Sequence, residues 1–219
     1  MEAVLFDLDG TLIDSAPDLA DALDETMRRL GRPAYGEETV RRWIGNGATT
    51  LVARALSGSR EIDPDLDAAL LQEALELFMA AYRRRLCERT RLYPGVRETL
   101  DALTKRALPM AVVTNKPSAF VAPILEALAI ARYFPFALGG DALPRKKPHP
   151  MPLLHACERL GVPPERTVMV GDSSNDILAA KAAGMRSVGV RWGYNYGEDI
   201  AAYTPDAVIE RFEALTEVI

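Results

Sequence analysis

The chain has 219 residues, 48% apolar and 26% charged, with a formal net charge of −5 at neutral pH. These are the proportions of a soluble globular protein, long enough for one large domain or a domain carrying an insert. The acidic balance, with no basic run beyond Arg83-Arg84-Arg85, argues against a nucleic-acid partner, so any anionic ligand has to be held by local charge.

The first apolar run, Val4-Leu5-Phe6, reads as a buried strand and stops abruptly at Asp7-Leu8-Asp9-Gly10-Thr11. Side chains alternate along an extended segment, so Asp7 and Asp9 project to one side while Leu8 points into the core. Two neighbouring carboxylates repel unless a cation lies between them, and Mg²⁺ is bound through one or two carboxylates plus phosphate oxygens. Leu19, Leu23, Met27 and Leu30 then mark one face of a helix, opened by a cap at Asp14 or Ser15 and stopped near Gly31 and Pro33. From Gly36 to Leu86 there is no strand pattern. Helical segments are expected near Glu37–Ile44, Ala48–Leu56 and Pro64–Leu86, broken at Gly45-Asn46-Gly47 and Ser57-Gly58-Ser59. The glycine pair lacks the third glycine and the preceding strand of a dinucleotide fingerprint, which leaves a helix connection or a substrate-facing loop.

Beyond Tyr93-Pro94-Gly95 strand and helix alternate. Strands are expected at Met110–Val113, Phe136–Leu138, Thr167–Val170, Ser187–Val190 and Ala207–Ile209, with helices between them and a closing helix. The predicted fold is α/β: a doubly wound parallel sheet with a Rossmann-like core (residues 1–14 and 87–219) and an inserted all-helical cap (residues 15–86). No apolar run reaches membrane-spanning length, and the first strand starts too near Met1 for a signal peptide. Cys87 and Cys157 have no metal-binding spacing and form no disulfide framework. The expectation is a cytoplasmic protein, monomer or homodimer, with no membrane partner.

Ligands of open parallel sheets bind beyond the carboxyl ends of the strands, where strand order reverses. Three predicted strands end in polar punctuation: Asp7/Asp9, Thr114/Asn115 and Asp172/Asp176. Lys147 lies in the proline-rich loop Lys146-Lys147-Pro148-His149-Pro150. Several acids, a hydroxyl and an ammonium converging on one crevice suit a divalent cation and a phosphoryl group. His149 and His155 have no ligand partner at suitable spacing.

Asp7-Leu8-Asp9-Gly10-Thr11, Thr114-Asn115, Lys147-Pro148 and Gly171-Asp172 with Asp176 resemble, in order, the four motifs of the haloacid dehalogenase superfamily. The resemblance implies that Asp7 is a nucleophile forming an aspartyl-phosphate, and that Asp9 is the acid for the leaving alkoxide and then the base for water. It implies that Thr114 and Lys147 hold the phosphoryl group, and that Asp7, Asp172 and the Asp9 carbonyl bind Mg²⁺. Asp176 is either a further ligand or, as favoured here, an acid supporting the others. The second acid, Asp9, points to phosphate chemistry, because an alkoxide needs a proton on leaving and a halide does not. No lysine lies in the insert, unlike the phosphonate-cleaving branch. Trp43–Ala48, Thr114–Pro117, a helix over Phe120–Phe134 and Gly193–Glu198 are similar to the bacterial branch that hydrolyses 2-phosphoglycolate to glycolate and phosphate. A phosphatase or mutase for another small ester, such as a sugar phosphate or pyrophosphate, is the nearest alternative. A phospho-acceptor receiver is remoter, since its aspartate ends a mid-chain strand and it has no insert. Gly45 and Asn46 are the expected substrate-reading residues of the cap, with Arg41, Arg42 and Arg54 behind them.

Overall fold

A computed structural model describes all residues, 1–219. The chain runs β1 (Ala3–Phe6), β2 (Ile13–Asp14), α1 (Ala16–Arg29), α2 (Gly36–Arg41), α3 (Ala48–Ser57) and α4 (Ala68–Arg84). It continues through β3 (Arg91–Leu92), α5 (Val96–Lys105), β4 (Met110–Val113), α6 (Ser118–Ala127), β5 (Ala137–Leu138) and α7 (Met151–Leu160). It closes with β6 (Thr167–Gly171), α8 (Ser174–Ala182), β7 (Arg186–Val190), β8 (Ala207–Ile209) and α9 (Leu215–Val218). No helix is long and apolar enough to cross a membrane.

Six strands form one parallel sheet in the order β5-β4-β1-β6-β7-β8. From β1 the chain steps outward to β4 and β5, then returns to the other side of β1 for β6. That reversal puts the crevice at the carboxyl end of β1. Alternation decides the packing of β1. Val4 and Phe6 enter the larger apolar cluster, while Leu5 joins Ala111, Val113, Leu153 and Met169 on the opposite face. Both faces are covered, which is why these strands read as unbroken apolar runs.

The four helices α1–α4 lie between β1 and the remaining strands of the main sheet. Buried Leu19, Leu23 and Met27 hold α1 against its neighbours, and an aromatic chain crosses to the core. Phe78 stacks on Tyr82, which meets Phe120 of α6 edge-on with ring centroids 4.9 Å apart. The outgoing and returning strands of the insert pair as a short antiparallel ribbon, Ile13 with Leu92 and Asp14 with Arg91. Two residues a side are too few for a strand pattern, so the sequence does not announce this ribbon. Buried Asp18 reinforces it by accepting from the Arg89 amide and from the Thr90 amide and hydroxyl. The helix expected over Phe120–Phe134 ends earlier, at Ala127, with a single 3₁₀ turn at Ala131–Tyr133. A positive φ at Ala129 breaks it.

Candidate active site

Each motif lies at or beyond a strand end. β1 delivers the buried Asp7, whose Oδ1 is 2.9 Å from Lys147 Nζ. The same ammonium donates to the Val113 carbonyl ending β4 (2.5 Å) and to Asp176 Oδ1 (2.6 Å), which uses all three of its hydrogens. The other Asp176 oxygen accepts from the Ser173 amide and hydroxyl in a capping box that opens α8. Asp172 is turned inward by the Thr11 hydroxyl (2.9 Å) and the Tyr194 amide (2.8 Å). Asp7, Asp172 and Asp176 thereby present carboxylate oxygens within 4.8 Å of one another.

Asp9 has its own ammonium. Lys116 Nζ lies 2.9 and 3.1 Å from its two oxygens, and the Ser15 hydroxyl donates to Oδ1 at 2.5 Å. Thr114 is buried beside this pair and accepts the Lys116 amide, which leaves its own hydroxyl hydrogen free for the cavity. Asn115 donates to the carbonyls of Gly45 and Lys147, 3.0 Å each, and so ties the insert to the core. These groups line a cavity of about 40 Å³, room for only a few water molecules, whose other wall is Leu19, Ile44, Leu51, Phe78, Tyr82 and Phe120.

Burial raises the Asp7 carboxyl to about 6; Lys147 opposes that rise, and Asp176 and Asp9 add to it. Asp172 is held well above the ordinary carboxylate range by burial, then by Asp7 and Asp176. Burial alone would push the Lys147 ammonium down, but Asp176 and Asp7 override it and hold it up. Lys116 behaves likewise, with Asp9 and Tyr82 overriding burial. With all four carboxyls ionised against two ammoniums, two negative charges would be uncompensated in a buried space, which is what holds Asp7 and Asp172 up. An all-oxygen donor set with that surplus fits a hard divalent cation.

A model of the haloacid dehalogenase-like hydrolases matches residues 1–184, which carry all four motifs. The chain belongs to this family. A phosphoglycolate phosphatase from Colwellia psychrerythraea is 50% identical over 98% of this chain and 95% of its own length. A crystal structure described as a predicted phosphoglycolate phosphatase from Haemophilus somnus superposes with a TM-score of 0.92 at 39% identity, covering 100% of this chain and 97% of that one. CbbY from Rhodobacter sphaeroides, solved in complex with phosphate, gives a TM-score of 0.81 at 28% identity, over 98% and 96% of the two chains.

Within this haloacid dehalogenase-like frame, Asp7, Asp9, Thr114, Asn115, Lys147 and Asp176 line the cavity, and Asp172 adjoins it through the acidic cluster. Two expectations need correction. Of the two expected caps of α1, Ser15 gives its hydroxyl to Asp9, whereas Asp14 does accept the Ala16 amide (3.3 Å), which also donates to the Tyr194 hydroxyl at 3.0 Å. Asn46 does not line the cavity: Tyr196 and Arg54 donate to its Oδ1 (2.7 and 3.0 Å), and Nδ2 turns to Asn175. Gly45 does line it, yet its carbonyl is taken by Asn115 and Asn175. The insert arginines are equally committed, Arg41 to Asp14 and Glu37, Arg42 to Glu38, and Arg54 to the Trp43 and Arg60 carbonyls. Lys116 is the group that sequence reasoning passed over. The alternation that pairs Asp7 with Asp9 would have paired Thr114 with Lys116.

Gly10 shows how tightly the acids are packed. Its φ is +90°, and an added Cβ would land on the Asp172 carboxylate. Gly10→Ala is expected to destabilise the protein by roughly 1–3 kcal/mol and to displace Asp172. Thermal unfolding reports the first effect; an unchanged midpoint would refute this steric reading.

Proposed function

We propose that this protein is a Mg²⁺-dependent phosphatase that hydrolyses 2-phosphoglycolate to glycolate and phosphate through an aspartyl-phosphate on Asp7. The observation that carries this reading is the division of the paired acids, Asp7 on Lys147 and Asp9 on Lys116. One carboxylate faces the acidic cluster and the other stands apart from it, as a nucleophile and an acid–base group require. The substrate is suggested by the name of the Colwellia relative, which matches along nearly its whole length.

In this reading Thr114 donates to a phosphoryl oxygen and the Lys147 charge, held on Asp7, offsets the phosphoryl charge while an Asp7 oxygen attacks phosphorus. The ester P–O bond breaks, and Asp9, which enters this step protonated, gives that proton to the departing glycolate oxygen. Asp9 then takes a proton from the water that attacks the acyl-phosphate, which returns Asp7 as a carboxylate and frees phosphate. Asp7, Asp172 and the Asp9 carbonyl would hold Mg²⁺, which neutralises surplus charge and polarises the phosphoryl oxygens. Asp176, with both oxygens engaged, positions Lys147. Residues 15–86 act as the cap, opening on the β2–β3 ribbon to admit substrate and closing to exclude bulk water.

The test is phosphate release from a panel of small esters with Mg²⁺. We expect 2-phosphoglycolate to lead in kcat/KM; a sugar phosphate in first place, or an isomer formed without free phosphate, would refute the reading.

A thermal-stability prediction follows from the raised Asp7. Without metal, the folded state binds a proton that the unfolded chain releases at lower pH, so stability falls as pH rises from the ordinary aspartate range through about 6. A divalent cation removes that penalty. Mg²⁺ should therefore raise Tm over chelator-treated protein, and more at about pH 7.5 than at about pH 5. An equal shift at both values would argue against binding through these carboxylates.

A further inference from the structure

We infer that the carboxylate end of the substrate is received by the Tyr82 hydroxyl and Lys116. This rests on the phosphoglycolate reading and names the groups that would make it selective. With Lys147 fully used at the phosphoryl end and Arg41, Arg42 and Arg54 paired elsewhere, a second anion in the cavity needs other donors. The cap wall is apolar except at one side chain, Tyr82 of α4. Its ring is packed by Phe78 and Phe120, and it is only 1% exposed, yet its hydroxyl has no hydrogen-bond partner. A buried O–H left unpaired costs free energy that a bound acceptor would return.

Lys116 stands against that ring, with Nζ 4.7 Å from its centroid. Asp9 takes two of its contacts, and the third N–H is turned to the Tyr82 oxygen, so ammonium and hydroxyl act at one place. A hydroxyl donor and an ammonium therefore share the end of the cavity beside Asp9. That end suits a carboxylate separated from the ester oxygen by a single carbon.

The test compares 2-phosphoglycolate with ethyl phosphate, which has a similar shape and no carboxylate, in wild type, Tyr82→Phe and Lys116→Met. Wild type should favour phosphoglycolate; if it does not, the substrate reading itself fails, and this inference with it. Tyr82→Phe should nearly keep its Tm, since no acceptor lies within hydrogen-bond distance of the hydroxyl in the folded protein. It should raise KM for phosphoglycolate roughly 10- to 100-fold, the worth of a hydrogen bond to a charged group, and leave KM for ethyl phosphate unchanged. Lys116→Met should lower kcat for both substrates through Asp9 but raise KM only for phosphoglycolate. A selective wild type whose Tyr82→Phe variant loses nothing, or loses equally on both esters, would overturn the inference while leaving the substrate reading intact.

Discussion

Asp7→Asn is expected to leave a folded protein with kcat lowered by roughly 10⁴–10⁶, the usual consequence of removing a covalent nucleophile. An amide cannot form the acyl-phosphate, and the uncatalysed hydrolysis of phosphate monoesters is among the slowest reactions known. The fold should survive because the amide oxygen still accepts from Lys147, and because one of the buried, mutually repelling carboxylates is gone. Thermal unfolding alongside phosphate release separates the two effects. A variant retaining more than a few per cent of wild-type turnover would remove Asp7 from the covalent step.

Asp9→Asn should lose roughly 10²–10⁴ in rate on phosphoglycolate, the contribution of a positioned acid–base group. Nitrophenyl phosphate leaves as a weakly basic phenolate, so the first step should suffer much less with that substrate. Mg²⁺ binding should persist, since a backbone carbonyl is the group Asp9 is expected to offer. The variant does leave the buried Lys116 ammonium without its counter-charge, and some loss of stability is expected on that account. Equal rate losses on good and poor leaving groups would show that Asp9 does not protonate the leaving oxygen.

What could be read from the chain depended on which signals are local. The sheet was legible because its strands are short apolar runs, and the site because polar residues interrupt those runs where the strands end, as at Asp7 and Thr114. Side-chain partners across long separations were not. Nothing in the spacing says that Lys116 reaches back to Asp9, that Tyr194 turns Asp172, or that Tyr196 holds the Asn46 amide away from the cavity. The cap was legible as helices but not as a wall. Only packing brings Phe78 and Tyr82 to the cavity and leaves the Tyr82 hydroxyl without a partner. The two-residue ribbon at Ile13–Asp14 and Arg91–Leu92 was below any pattern's resolution.

The most direct measurement is to quench the enzyme during turnover of 2-phosphoglycolate with Mg²⁺, reduce it with borohydride and map the product by mass spectrometry. Reduction of an aspartyl-phosphate converts that residue to homoserine. We expect homoserine at position 7 in wild type and none in Asp7→Asn. Homoserine at another aspartate, or none at any position in an enzyme that is turning over, would contradict covalent catalysis by Asp7.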